Sequence, residues 1–402
     1  MISSNRSRRA LAAALMSFTA LAGAGTARAE ETIKIGGIMS LTGAGASIGK
    51  VAQVAWQRAV DDINASGGIL GKKVELVLAD TMTDPTHGVS EMRRLVESEK
   101  VAAVVGPATS QETMPVVPIA TEANIAQVSS AASTQLTPQV GPYHFSTSPI
   151  GENQMIPNIS YALDTLKLTK LALISDNGGM SKAAVADIVN YMKGKGVEPV
   201  AVQEFAFRTE DMTPQLFSLR SSEAQAVLLI NSIGDDARKM LENRYDIGWD
   251  VPVLASLTMT NYAVGNAATI GTEPFEGVYS VQFEGMTYCP GEALGEKAFA
   301  KFAEKAKADI ADLDRMGGPS ALVPYYIQPF ILAAAMNGSG KTDGKSVAAW
   351  IEANAGEIKT LTGKLAASAD NHFLPSVESL KVVKNPYQLR EDGLVERADC
   401  AQ

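Results

Sequence analysis

Residues 33–79 read IKIGGIMSLTGAGASIGKVAQVAWQRAVDDINASGGILGKKVELVLA. The stretch opens on an apolar run, Ile33–Met39, crosses a Gly/Ser loop to an amphipathic segment at 51–64, and returns to an apolar run at 74–79. Short apolar runs bounded by turn residues predict buried strands, and apolar positions three and four apart predict a helix packed on them. The same unit repeats outward, with helices expected at 86–99 and 111–123 and strands at 101–105 and 125–128. A second series follows, with strands at 170–174, 197–205, Ala226–Ile230 and 251–255 and helices at 182–194, 214–222 and 236–245. Strictly alternating strands and helices predict parallel sheets covered on both faces, so the expected class is α/β with two doubly wound lobes. The remaining chain, with helices near 292–307, 321–336 and 345–354 and strand-like runs at 359–365 and 377–383, is too poor in strands for a third lobe and is expected to complete the other two. Residues 323–336, the longest apolar stretch after the N-terminus, are too few for a membrane span and read as a buried helix.

The 402 residues are 46% hydrophobic and 20% charged, a globular balance, and the formal charge is −9. An acidic chain is poorly suited to nucleic acid or to an anionic membrane surface. Cys289 and Cys400 form no C-x-x-C pair, and His87, His144 and His372 lie far apart, so no metal site and no cofactor are expected. At the N-terminus, Arg6, Arg8 and Arg9 precede the apolar run 10–24 and then Ala27-Arg28-Ala29, the three parts of a secretory leader. Cleavage would leave Glu30 as the first residue. Residues 1–29 hold four arginines and no acid, so their removal takes the charge from −9 to −13. No cysteine follows the apolar run to carry a lipid, and export of a soluble protein is expected.

Two enzyme motifs compete for the first loop. Gly43-Ala44-Gly45 follows a strand as a dinucleotide loop would, but Ile48 stands where the third glycine of G-x-G-x-x-G belongs. Residues 45–49 match G-x-S-x-G, which would make Ser47 the nucleophile of a secreted serine hydrolase with His372 as its base; a loop between strand and helix argues against that elbow.

Further residues give the loop its meaning. Ser40-Leu41-Thr42-Gly43, the segment Asp62-Ile63-Asn64-Ala65-Ser66-Gly67-Gly68-Ile69-Leu70-Gly71, Asp80, Asp84-Pro85, Val104-Val105-Gly106-Pro107 and residues 131–137 together resemble the exported Leu/Ile/Val-binding proteins of ABC transporters. The resemblance spans nearly the whole chain after the leader. It implies a type I periplasmic binding fold: two lobes joined by a three-strand hinge, closing on a ligand at the C-terminal ends of both sheets. The crossings are expected near Ser148, Val281 and Phe373, giving a leader over 1–29, lobe one over 30–148 plus 282–372, and lobe two over 149–281 plus 373–402. The partners implied are a small carboxylate or amino-acid ligand and a transporter permease, with the protein itself a periplasmic monomer. A soluble ligand-sensing domain shares the fold and stands beside this reading.

Thr109-x-x-Glu112 reads as a capping box that opens a helix toward the cleft. The resemblance places the ligand's carboxylate at Ser110 and at the loop Ser130, Ala131, Ala132 and Ser133; the alternative is that Ser110 only caps the helix and Ser133 only shapes a turn. Relatives that bind amino acids carry an aromatic at the position of Ile48, tyrosines at those of Met180 and Ser232, and at that of Leu257 the acid that neutralises the ammonium. Here all four are small or apolar. A buried ammonium without a counter-charge costs several kcal/mol, so an apolar or aromatic acid is expected ahead of a branched-chain amino acid unless Asp176 or Glu284 replaces the missing acid; if the register slips, Met180 and Leu257 are simply core. Finally, one pair of cysteines in an oxidising compartment predicts the disulfide Cys289–Cys400.

Overall fold

A computed structural model describes residues 32–400. The leader expected over 1–29 and the last two residues lie outside them. The first sheet is wholly parallel, ordered β2-β1-β3-β4-β5, from β1 Ile33–Met39, β2 Val74–Asp80, β3 Ala103–Val105, β4 Ala126–Ser129 and β5 His144–Ser146. Helices α1 (Ala46–Ala65), α2 (Pro85–Arg93) and α3 (Ser110–Glu122) connect its strands. In β1, Gly36 and Gly37 let helices approach from both sides: a Cβ on Gly36 would lie 2.9 Å from Leu95, and one on Gly37 would lie 2.9 Å from the ring of Trp56. That close approach buries Trp56 completely, and its indole N–H donates to Gln328 at 3.0 Å.

The chain crosses at 147–150 into α4 (Gly151–Asp164) and builds the second sheet from β6 Leu171–Asp176, β7 Ala201–Phe205, β8 Ala226–Ile230, β9 Val253–Ala255 and β10 Val278–Phe283. Here α5 (Gly179–Gly194), α6 (Thr213–Ser221), α7 (Gly234–Asp246) and α8 (Leu257–Ile270) cover the two faces. Beyond β10 the chain forms β11 (Thr287–Tyr288), then α9 (Ala298–Asp309), α10 (Pro319–Ser339) and α11 (Gly344–Asn354), which pack into the core of the first sheet. It returns past Phe373, where Ser146 N–H donates to His372 O at 2.9 Å and Leu374 N–H to Ser146 O at 3.0 Å. The last strands are β12 (Leu380–Lys384) and β13 (Val395–Glu396). The second sheet is ordered β12-β10-β9-β8-β6-β7, parallel except for the antiparallel pair β10–β12. Cys289 and Cys400 form a disulfide with a Cα–Cα distance of 5.8 Å, tying the chain end beside the β11–β13 pair.

The strand expected from 197 begins only at Ala201, and other expected bounds need correction as well. Residues 359–365 form no strand: the Thr360 hydroxyl bonds Thr362 and the carbonyl of Gly363, whose φ of 118° breaks an extended run. The helix expected from 292 begins only at Ala298, after a turn in which Glu292 accepts from Cys289 N–H. Val377–Ser379 is a 3-10 turn, with the strand starting at Leu380. Helices α4 and α8 were not foreseen; α4 carries an internal proline, Pro157, and α8 opens on Leu-Thr-Met-Thr-Asn-Tyr, whose threonines, asparagine and tyrosine are weak helix formers. Among the described residues no helix is long and apolar enough to cross a membrane.

Candidate ligand cleft

The C-terminal ends of both sheets face one cleft, and the helices that follow the strands begin there. First-turn residues from six helices line it: Ile48 of α1, Ser110 of α3, Gln154 of α4, Met180 of α5, Leu257 and Thr258 of α8, and Ala321 of α10. Ser130, Ala132, Thr147, Ser148 and Ser232 close it from the loops, with Asn261, Tyr262 and Tyr325 from the next turns. The lobes touch at this level, since a Cβ on Gly179 would lie 3.3 Å from the Cβ of Ser110. The free volume is about 70 Å³. At roughly 10–15 Å³ per water position, that is room for about five waters, the space of one compact ring or a short branched chain.

No Asp, Glu, Lys, Arg or His is among the described residues lining the cleft. The six helix N-termini give it a positive bias that no side-chain charge cancels at its surface. Ser110 is the anchor of the first wall. Its oxygen accepts the N–H groups of Ala132 and Ser133, both at 3.1 Å, so its own proton is free to donate into the cleft. The loop 131–133 therefore acts through Ser110. Ala131 packs with Val117 and Leu136, and the Ser133 oxygen accepts from Gln135 N–H, so neither is on the cleft surface; Ser133 shapes a turn.

The capping box expected at Thr109 and Glu112 takes another form. Thr109 donates to Glu112 at 2.6 Å, and Ser40 and Thr81 donate to the same buried carboxylate, which is 1% exposed. Glu112 thus locks β1, β2 and α3 together behind the wall. On the opposite side Asp176 lies behind Ser232, fully buried, accepting the N–H groups of Gly178 and Ser232. Burial pushes its carboxyl above the ordinary range. Asp176 is not on the cleft surface, and Glu284 lies away at the hinge near Lys381 and Arg397, so neither supplies the acid missing at Leu257.

Met180, Ser232, Ile48 and Leu257 are all on the cleft surface, Ile48 from α1 of the first sheet and the other three from the second. Leu257 N–H donates to Gln154 Oε1 at 3.2 Å while Gln154 Nε2 donates to Pro149 O at 2.9 Å, which fixes the start of α8 against the first crossing. Gln154, Thr147, Asn261, Tyr262 and Tyr325 escaped the sequence reading. The signal for Tyr325 was a polar ring inside the apolar stretch after 320; for Asn261 and Tyr262 it was hidden with α8 itself. The hydroxyls of Tyr262 and Tyr325 meet at 3.4 Å, and burial raises both above their ordinary value.

Ser47 does not meet a histidine. It donates to Asp235 of α7 at 3.2 Å, across the mouth of the cleft, while His372 bonds His144 O and Glu352 at the hinge. The hydrolase arrangement is not assembled.

A family described as "Periplasmic binding protein" matches residues 32–380. An "Amino acid binding protein" of Pseudomonas aeruginosa is 27% identical over 328 residues, 80% of this chain and 82% of that one. The Leu/Ile/Val-binding protein BraC3 of Rhizobium johnstonii is 25% identical over 338 residues, 84% of this chain and 88% of its own. The crystal structure of LivJ, the branched-chain amino acid transporter substrate-binding protein of Streptococcus pneumoniae, in complex with isoleucine, superposes with a TM-score of 0.73 at 24% identity, covering 91% of this chain and 98% of that one. A solute-binding protein of an ABC transporter from Rhodopseudomonas palustris, in complex with 4-hydroxybenzoate, gives 0.76 at 18% identity over 91% and 95%. With a cleft between two doubly wound lobes and a match over most of its length, the chain belongs to the periplasmic binding protein family.

Proposed function

We propose that this protein captures a small carboxylate without an α-ammonium, with an apolar or aromatic body, and hands it to an ABC importer after its lobes close. The lobes in this reading are 30–148 plus 282–372 and 149–281 plus 373–402, and residues 1–29 direct export to the periplasm. The observation that carries the reading is a cleft lined by six helix starts with no Asp, Glu, Lys, Arg or His among the described residues at its surface. A carboxylate meets the Ser110 proton and the positive ends of the helices. An ammonium meets no carboxylate at Leu257, and burying it unpaired costs several kcal/mol. Burying about 150 Å² of ring at ~25 cal/mol per Å² contributes near 4 kcal/mol. Two charge-assisted hydrogen bonds at ~1.5–3 kcal/mol each bring the gross sum to the roughly 8 kcal/mol of micromolar affinity, so both lobes must enclose the ligand.

A branched-chain amino acid is the second reading, favoured by the Leu/Ile/Val-binding relative and by the isoleucine complex. Mass spectrometry of the small molecules released from freshly purified protein by mild denaturation separates the two. Release of an ammonium-free acid is the expected result, and release of leucine, isoleucine or valine alone overturns it.

A further inference from the structure

Resting on the carboxylate reading above, one arrangement in the second wall goes further. Asp176 ends β6 and is fully buried, yet it faces no cation; it takes the N–H of Gly178 at 2.8 Å, the N–H of Ser232, and the Ser232 hydroxyl at 3.2 Å. Gly178 is required for that geometry. A Cβ there would lie 2.8 Å from both the Asp176 and the Ser232 oxygens. Ser232 itself is on the cleft surface. With its proton directed at Asp176, the serine presents only lone pairs to a ligand. Ser110, which accepts two backbone N–H groups, has the opposite polarity and offers a proton. The two serines therefore orient a ligand: acceptor toward Ser110, donor toward Ser232.

We infer that Ser232, positioned by Asp176, is a specificity subsite for a hydrogen-bond donor carried by the ligand at a point separate from its carboxylate, so that hydroxylated aromatic acids are selected over bare ones. The ligand O–H donates to Ser232 Oγ, which donates to the Asp176 carboxylate, a chain in which each bond polarises the next. Ser232 touches the ligand and Asp176 acts through it.

Calorimetry on the full mature chain with benzoate, 3-hydroxybenzoate and 4-hydroxybenzoate tests this, using wild type, Ser232→Ala and Asp176→Asn. The quantity read is the affinity ratio of each hydroxylated acid to benzoate, which cancels any general loss of folded protein. In the wild type at least one ratio should be about tenfold or more, the size expected of a buried hydrogen bond to a charge-backed acceptor. It should fall to near 1 in Ser232→Ala and drop in the same direction in Asp176→Asn, where the serine proton loses its charged acceptor. If Ser232→Ala fails to fold, the wild-type ratio together with Asp176→Asn decides. Equal wild-type affinities for all three acids, or ratios untouched by both substitutions, overturn the subsite and leave the carboxylate reading standing. Binding of aliphatic 2-oxo acids with no binding of any benzoate does the same. Absence of binding by every ammonium-free acid overturns both.

Discussion

Each wall of the cleft has a buried carboxylate behind its surface, Glu112 in the first and Asp176 in the second, and they are held differently. In the first wall Glu112 is surrounded by three hydroxyls, Ser40, Thr81 and Thr109, which draw β1, β2 and α3 into one block. In the second wall Asp176 is held mainly by backbone N–H groups, and its hydroxyl partner Ser232 opens directly onto the cleft. The first arrangement fixes a platform on which Ser110 offers a proton. The second backs a surface made otherwise of Met180 and Leu257, which in the proposed reading would face the body of the ligand. The contrast suggests a division of labour: one wall anchors a carboxylate by backbone and hydroxyl geometry, and the other reads what is attached to it.

The largest expected effect comes from reversing the second wall. Leu257→Glu puts a buried anion where the ligand body sits, and should weaken an ammonium-free acid by about a hundredfold or more through like-charge repulsion and desolvation. The same change should improve leucine binding, since it supplies the absent counter-charge; calorimetry with both ligand types reads the two effects together. If Leu257→Glu leaves the acid's affinity intact, Leu257 does not face the ligand.

Breaking the first wall should cost less. Ser110→Ala removes the donor and leaves the Ala132 and Ser133 N–H groups without their acceptor, so about a tenfold to hundredfold loss is expected, from ~1.5–3 kcal/mol for a hydrogen bond to a charged group. The loss should fall on every carboxylate alike, whatever its body. A loss confined to one ligand would reassign Ser110 to the reading wall.

The second wall carries a further titratable group. Behind the second wall, burial raises Asp236 of α7 to about 7, with Asp176 and Asp235 adding to the rise and the N–H and charge of Arg208 opposing it. A carboxyl whose folded value lies above its unfolded one stabilises the fold fully below about pH 4, and that contribution is lost as pH climbs toward 7. Asp236→Asn should remove this decline, so the wild-type minus variant difference in stability should fall by about 2–4 kcal/mol between pH 4 and pH 7. A difference that does not change with pH would place Asp236 in water.

The smallest effect is expected where the lobes meet. Ser47→Ala deletes the exposed bond to Asp235 across the cleft mouth and should weaken ligand binding only about twofold to fivefold, the worth of a neutral-to-charged bond in contact with water. Complete loss of binding would mean that closure hangs on this one contact.

The first wall was the more legible in the sequence. Its strands β1 to β4 are short, mostly apolar runs, its glycines sit where helices pack on β1, and Ser110 follows a strand and a proline in a readable order; β5, His-Phe-Ser, is too short and polar to stand out. The second wall was legible in its β6–β9 series but not in its chemistry. Leu257, Thr258, Asn261 and Tyr262 belong to α8, whose threonines and aromatic residue do not announce a helix, because its stability comes from burial of Leu257, Met259 and Ala263 and not from local propensity. Asp176 was visible as a candidate counter-charge, yet only the fold could reveal that Gly178 and Ser232 occupy it. Ser47 illustrates the reverse: its motif matched a nucleophile, and its contact turned out to be an acid on the other lobe.

A cleft that takes a carboxylate and refuses an ammonium should separate an α-amino acid from its 2-oxo analogue. Calorimetry with two matched pairs tests it most directly: leucine against 4-methyl-2-oxopentanoate, and valine against 3-methyl-2-oxobutanoate, each pair differing only at the α-position. The 2-oxo acid should bind more tightly in both pairs, by about tenfold or more, with benzoate-type acids measured alongside. Micromolar leucine binding with no measurable binding of any ammonium-free acid would contradict it.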